Sequence, residues 1–257
     1  MSHRLEENNW QEIEEKRRKC DVAIVPVGSI EQHGYHLPLG TDTYVAKLLG
    51  EEAAERTGAV VTPPIWFGWS PHHMALSGSI TIRPEILIEY LYDVIESLHT
   101  HGYKKFVLIN GHRIVNIPWM QITAQRVQAK LGATVVIFDP AYMSKDLVDQ
   151  MGYGAVGHSE EIETSHLMHL LPELVHLEKA VDNPIKPSDL YSVDPRYPHD
   201  TLCYVPATIE HIAKMGEVAG GTTGTPSKAT QENGKKYHEH LMENLVKIIN
   251  SLKDKEE

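Results

Sequence analysis

The sequence predicts an α/β domain in which a parallel sheet is covered by helices on both faces. Three observations predict it. Four short apolar runs do not alternate with polar residues, as expected of strands buried on both sides. Helix-length segments separate those runs, giving the order βαβαβαβ, which implies parallel strands joined by helical crossovers. The residues able to do chemistry follow directly on strand ends, where open α/β sheets bind ligands.

The elements follow in order. Residues 9–19 read as a short amphipathic helix, with Asn8 or Asn9 as its cap. The first strand is 21–28, Asp21-Val22-Ala23-Ile24-Val25-Pro26-Val27-Gly28. Residues 42–57 are helical, and the second strand, 59–62, is closed by Pro63-Pro64. Pro84 suits the first position of a helix that runs to about His101. A third strand at 105–110 and a helix over about 116–131 lead to the fourth strand at 133–138. Residues 160–171 read helical, 182–206 form an excursion rich in Pro, Asp and Tyr, and 226–252 form a long C-terminal helix. No linker or repeat divides the chain, so the reading is one domain over 1–257.

Composition narrows the function. The 257 residues carry 24 Lys+Arg against 35 Asp+Glu, a formal charge of −11. That argues against a nucleic-acid-binding surface, which needs a basic face. No apolar run reaches the length of a membrane span, and the first residues lack the apolar core of a signal peptide, so the expectation is a soluble, cytoplasmic protein. Two cysteines, Cys20 and Cys203, make neither a disulfide framework nor a zinc knuckle. The 16 histidines are the unusual count, because imidazole is both a metal ligand and a general acid or base.

After the first strand come Glu31, His33 and Asp42, in a loop held by Gly34, Pro38 and Gly40. Carboxylate with imidazole is a ligand set for zinc, manganese or iron. The same residues would also serve as two caps and a loop histidine, so this loop admits both readings. The third strand ends Asn110-Gly111-His112, which points His112 into the same crevice if strands one and three are neighbours. After the fourth strand, His158 is followed within five residues by Glu160, Glu161 and Glu163 at a helix start. There, acidic residues also compensate the helix dipole. Trp66 to Met74 follows the second strand and reads as a pocket wall, with Trp69, His72 and His73 for substrate contact, or as a subunit interface. His166 and His169, at helical spacing, read as surface or interface residues.

Taken together, Gly28-x-x-Glu31-Gln32-His33-Gly34-x-His36-Leu37-Pro38-Leu39-Gly40-Thr41-Asp42, Asn110-Gly111-His112, His158-x-x-Glu161-x-Glu163-Thr164-Ser165 and Gly224-Thr225-Pro226-x-x-Ala229 resemble the creatininase (creatinine amidohydrolase) family. The resemblance runs over about residues 10–250. It implies a three-layer α/β/α sandwich, two divalent metal ions (zinc, manganese or iron) and a homo-oligomer, typically a hexamer. It implies that Glu31 and His112 hold one ion, that His33 holds the other, that Asp42 bridges them and that His158 moves a proton. Creatinine-specific members supply a carboxylate two residues after the Asn-Gly-His histidine, and here that position is Ile114. The resemblance then assigns the vacant role to Glu161, with Glu160 as the competing choice.

The creatinine-specific tryptophans are also absent, since Pro140-Ala141-Tyr142 and Gly154-Ala155-Val156 stand in the corresponding stretches. The expected substrate is therefore a small cyclic molecule other than creatinine, met by Tyr142 and by Arg113, which either faces the pocket or lies on a helix surface. The expected reaction is attack of a metal-bound hydroxide on a carbonyl, breaking a cyclic amide C–N bond. The alternative within the family is a C–C hydrolase opening a cyclic diketone of inositol catabolism, as 3-dehydro-scyllo-inosose hydrolase does. The rival outside catalysis is a metal-binding scaffold.

Overall fold

A computed structural model describes residues 2–184 and 207–253. Its first helix, α1 (Trp10–Lys19), is set by a capping box: the Asn9 side chain accepts from the Gln11 and Glu12 amides, and Glu12 accepts from the Asn9 amide. Strands β1 (Val22–Val27), β2 (Val60–Val61), β3 (Lys105–Asn110) and β4 (Thr134–Phe138) form one parallel sheet in the order β2-β1-β3-β4. Strands β1 and β3 are neighbours, with Val22 beside Lys105 and Val27 beside Asn110, so both strands end at the same level.

The helices are α2 (Thr41–Thr57), α3 (Pro84–Thr100), α4 (Ile117–Leu131), α5 (Pro140–Met143), α6 (Lys145–Gln150), α7 (Glu161–Leu170), α8 (Ile209–Ala219) and α9 (Gln231–Lys253). The apolar strands bury alternate residues on opposite faces. Val22, Ile24, Val107 and Ile109 pack with Leu49 of α2, Leu167 of α7 and Leu245 of α9. Ala23, Val25, Phe106 and Leu108 pack with Leu91 of α3 and Trp119 of α4. Each fully buried Leu or Ile contributes about 1.5–3 kcal/mol, and the result is the three-layer sandwich.

Glycine decides how tightly the strand ends meet α2. A Cβ on Gly111 would lie 1.9 Å from the Asp42 carbonyl oxygen, so only glycine lets the end of β3 approach the first turn of α2. That approach sets His112 beside Asp42.

Three parts differ from the sequence reading. The C-terminal helix does not run unbroken from Pro226: a 3₁₀ turn at Pro226–Lys228 comes first, and α9 begins after Thr230, whose hydroxyl accepts from the Asn233 amide. Helix α8, capped by Thr208, was not read from the sequence, and it packs on the 3₁₀ turn Pro71–Ala75. Of the 182–206 excursion, residues 185–206 lie outside the described residues. Among the described residues, no helix is long and apolar enough to cross a membrane.

Candidate metal centre

The loop after β1, the end of β3, the Pro71–Ala75 turn and the start of α7 converge on one buried cluster. Asp42 is its joint. Its Oδ1 is 3.1 Å from His33 Nε2, and its Oδ2 is 3.2 Å from His112 Nδ1. Glu31 Oε1 lies 3.2 Å from His112 Nδ1, 3.4 Å from His73 Nε2 and 3.7 Å from His158 Nδ1. Three groups bring potential ligand atoms within 4.8 Å of one another: Glu31–Asp42–His112, His33–His158–Glu163 and Glu31–His73–His158.

The hydrogen bonds fix which imidazole nitrogens carry protons. His33 Nδ1 faces the Glu31 carbonyl at 3.1 Å, and a carbonyl only accepts, so Nδ1 donates and Nε2 presents its lone pair to Asp42. His158 Nε2 donates to the Gln32 carbonyl, leaving its Nδ1 free towards Glu31. Ser70 gives its one hydroxyl proton to Glu31 Oε2 at 2.5 Å, so it accepts from His112 Nε2 at 3.3 Å. The His112 Nδ1 lone pair therefore faces two carboxylates. Unprotonated nitrogens opposite carboxylate oxygens need a positive charge between them, either a proton or a metal ion. Glu31 Oε1 and Asp42 Oδ2 are buried and accept no hydrogen bond, which is costly unless a cation completes the site. The residues present fit divalent ions, and histidines fixed by their second nitrogen are typical of such ligands.

The electrostatics agree. Burial opposes the charged form of His33, but Asp42 raises its ring to about 9. Burial opposes charge on His112 as well, and Glu31 and Asp42 carry it well above the usual imidazole value. Burial opposes ionisation of Glu31, yet His112 beside it holds its carboxyl well below the usual range. His158 is pushed well down by burial and then by His33. Burial, with His112 near it, lowers His72 to about 3. Protons on His33 and His112 thus offset the negative charge of Glu31 and Asp42.

Glu161 is placed elsewhere than its assigned role requires. Its Oε1 accepts from the Gly154 amide at 2.7 Å and its Oε2 from the Thr225 amide at 2.6 Å, so it ties two loops together. Glu163 faces the cluster instead, with Oε2 3.9 Å from His33 Nε2. Helix phase explains the difference. Glu160 and Glu163, three apart, share one side of the start of α7, while Glu161 and Ser165 share another with the Thr225–Thr230 segment. Glu160 binds Arg113 Nη2 through both oxygens, at 2.7 and 2.8 Å, and burial followed by Glu163 pushes its carboxyl up to about 7 despite Arg113.

Arg113 does not lie on a helix surface: it lines a small cavity with Asp42, Glu163 and Tyr237. It is buried and held by Glu160, Glu163 and the Gly157 carbonyl. Trp69 is half-buried against the α3–α4 side of the core, the His72 ring lies tilted against His73 with centroids 4.2 Å apart, and Tyr142 is half-exposed beyond β4. Trp66 and Phe67 are exposed. His166 is buried and bonded to His238, which bonds Glu52, so it is not a surface residue. Gln32 and Ser70 carry hydrogen bonds the sequence reading did not use. The only trace of them in the chain is their position, next to Glu31 and His33 and at the end of the aromatic loop.

The fold and this cluster together define an α/β protein built around a candidate metal centre. The sequence matches the family profile "Creatininase: Creatinine amidohydrolase" over residues 6–249, and the chain belongs to the creatininase family, whose members are hydrolases. It is 29% identical to 3-dehydro-scyllo-inosose hydrolase of Thermotoga maritima over 95% of this chain and 82% of that protein. It is 29% identical to creatinine amidohydrolase of Pseudomonas putida over 74% of this chain and 81% of that one. A mycofactocin precursor peptide peptidase of Mycobacterium ulcerans is 26% identical over 88% of this chain and 83% of that protein. Among solved structures, the fold resembles a crystal structure of creatinine amidohydrolase (creatininase) at a TM-score of 0.79 and 27% identity, covering 99% of each chain.

Proposed function

We propose that the chain is a hydrolase with two divalent ions that acts on a carbonyl carbon of a small cyclic substrate. One observation carries this reading: a ring nitrogen of His33 and one of His112 face the two oxygens of a single buried carboxylate, Asp42. Glu31, Asp42 and His112 hold one ion. His33 and Glu163, with the Asp42 oxygen that faces His33, would hold the other. Ions bound there supply Lewis acidity and lower the pKa of a bound water towards neutrality. His158 accepts the proton at Nδ1, its free nitrogen, while its Nε2–H stays on the Gln32 carbonyl and keeps the ring in place. The His158 proton then passes to the leaving group.

The bond broken on the leading reading is the C–N bond of a cyclic amide other than creatinine. What supports it is family membership together with the missing tryptophans. A second reading, C–C opening of a cyclic diketone, is favoured by the similarity to 3-dehydro-scyllo-inosose hydrolase across nearly the whole chain. Elemental analysis coupled to turnover on cyclic amides, inosose derivatives and short peptides separates the readings. Two ions per chain, lost together in Asp42→Ala, with hydrolysis of a cyclic amide, is the expected result. Turnover of an inosose derivative alone moves the assignment to the C–C reading. Active wild-type protein with one ion or none overturns the dinuclear site.

A further inference from the structure

We infer that His73 is a neutral hydrogen-bond donor held by Gln32, with its Nε2–H directed into the centre, and that it stabilises negative charge on the substrate without ligating a metal. Proximity alone would make His73 a ligand, because it groups with Glu31 and His158. The hydrogen bonds around Gln32 say otherwise. Gln32 Oε1 accepts from the Gly34 amide at 3.1 Å, and Gln32 Nε2 donates to the Gly221 carbonyl at 3.3 Å. Both partners have only one possible role, so the orientation of the amide is fixed. Gln32 Nε2 must then also be the donor to His73 Nδ1, at 2.9 Å. A nitrogen that accepts cannot carry a proton. The ring is therefore neutral, and its one N–H is at Nε2, 3.4 Å from Glu31 Oε1.

The same residue sets the neighbouring ring in the opposite sense. The Gln32 carbonyl takes the Nε2–H of His158, so His158 turns a lone pair towards Glu31 while His73 turns a proton. The two ring centroids lie 4.3 Å apart, with the planes tilted by 32°. They divide the work. His158 takes a proton on a free nitrogen and becomes an imidazolium. His73 cannot give up its proton without forming an imidazolate, because Gln32 offers no proton to replace it. It acts only by donating a hydrogen bond to an oxygen that gains charge, the role of an oxyanion-hole donor. The dinuclear reading is needed here only for what the N–H faces; the protonation pattern stands without it.

The test is ¹⁵N–¹H correlation spectroscopy of the histidine rings in the full-length protein, metal-free and zinc-loaded, with the His73→Gln spectrum to assign the ring. The expected result is an Nε2–H tautomer at His73 in both states. Gln32→Glu, whose carboxylate must accept from Nδ1, should reverse that tautomer. His73→Ala should keep the wild-type metal content and lose about 10²–10³-fold in kcat, with little change in KM, as for removal of one such donor. His73→Gln, which restores an N–H, should recover part of the loss. An Nδ1–H tautomer, or loss of one ion from His73→Ala, overturns the inference. Wild-type protein that takes up no zinc overturns the dinuclear reading instead, and the metal-free spectrum still decides the tautomer.

Discussion

Arg113 Nε donates to Glu163 Oε1 at 2.9 Å, and this bond turns a carboxylate of the first turn of α7 towards His33. The other oxygen, Oε2, accepts from the Ser159 amide at 2.7 Å. Ser159 adopts a left-handed conformation with φ of 55° to place that amide. Glu163 is thus oriented from two sides.

Substitutions at Glu163 and Glu161 should therefore behave differently. Glu163→Gln removes the charge from the second site and should strip that ion while leaving the first. Glu161→Gln should leave the metal content intact and cost about 1–3 kcal/mol of stability, because two backbone amides lose a charged acceptor. Elemental analysis with urea unfolding reads both effects. Metal loss from Glu161→Gln with none from Glu163→Gln would return the ligand role to Glu161.

Arg113→Met should be among the most destabilising single changes in the chain. It leaves Glu160 and Glu163 buried without their cation, and breaking a buried pair in this way costs about 3–5 kcal/mol. Arg113→Lys should rescue only part, since one ammonium cannot reproduce the bonds made by Nε and Nη2. A midpoint of urea unfolding close to wild type for Arg113→Met would show that the pair adds little.

Metal uptake should release protons. The His33 ring titrates at about 9 in the metal-free protein, and His112 is raised as well, so both carry protons at neutral pH. A metal ion must displace them. Affinity should rise with pH up to about 9, and calorimetry in buffers of different ionisation enthalpy should show protons released on loading. The sign for stability follows from the raised value: the metal-free protein has the full His33–Asp42 contribution below the unfolded imidazole pKa of about 6.5 and loses it as pH rises through about 9. Its thermal midpoint should fall across that window. A midpoint independent of pH there would mean that His33 is neutral in the metal-free state.

A homo-oligomer is the expected assembly, with Trp66 and Phe67 among its contacts, because both rings are exposed on the loop after β2. Light scattering should report a mass several times that of one chain, and Trp66→Ser with Phe67→Ser should reduce it. A stable, active monomer would refute this.

The sequence by itself determined the sheet and most of the residues that cluster at its edge. Strands β1 to β4 were legible because runs such as Val22–Val27 are apolar on both faces, and only a sheet covered twice buries both. Glu31, His33, Asp42 and His112 were legible because each follows a strand end directly, so local chain geometry brings them to one edge once β1 and β3 pair. The tertiary structure alone decided the rest. Whether Glu160, Glu161 or Glu163 faces the centre depends on the residue at which α7 begins and on Arg113, some fifty positions away. Arg113 reads as a pocket or a surface cation, and only the fold decides that it lines the cavity with its charge held by two buried carboxylates. His73 reads as a substrate contact or an interface residue until the Gln32 hydrogen bonds fix which of its nitrogens faces the centre. Proximity along the chain sets which residues arrive; long-range hydrogen bonds and helix phase set which atoms they present.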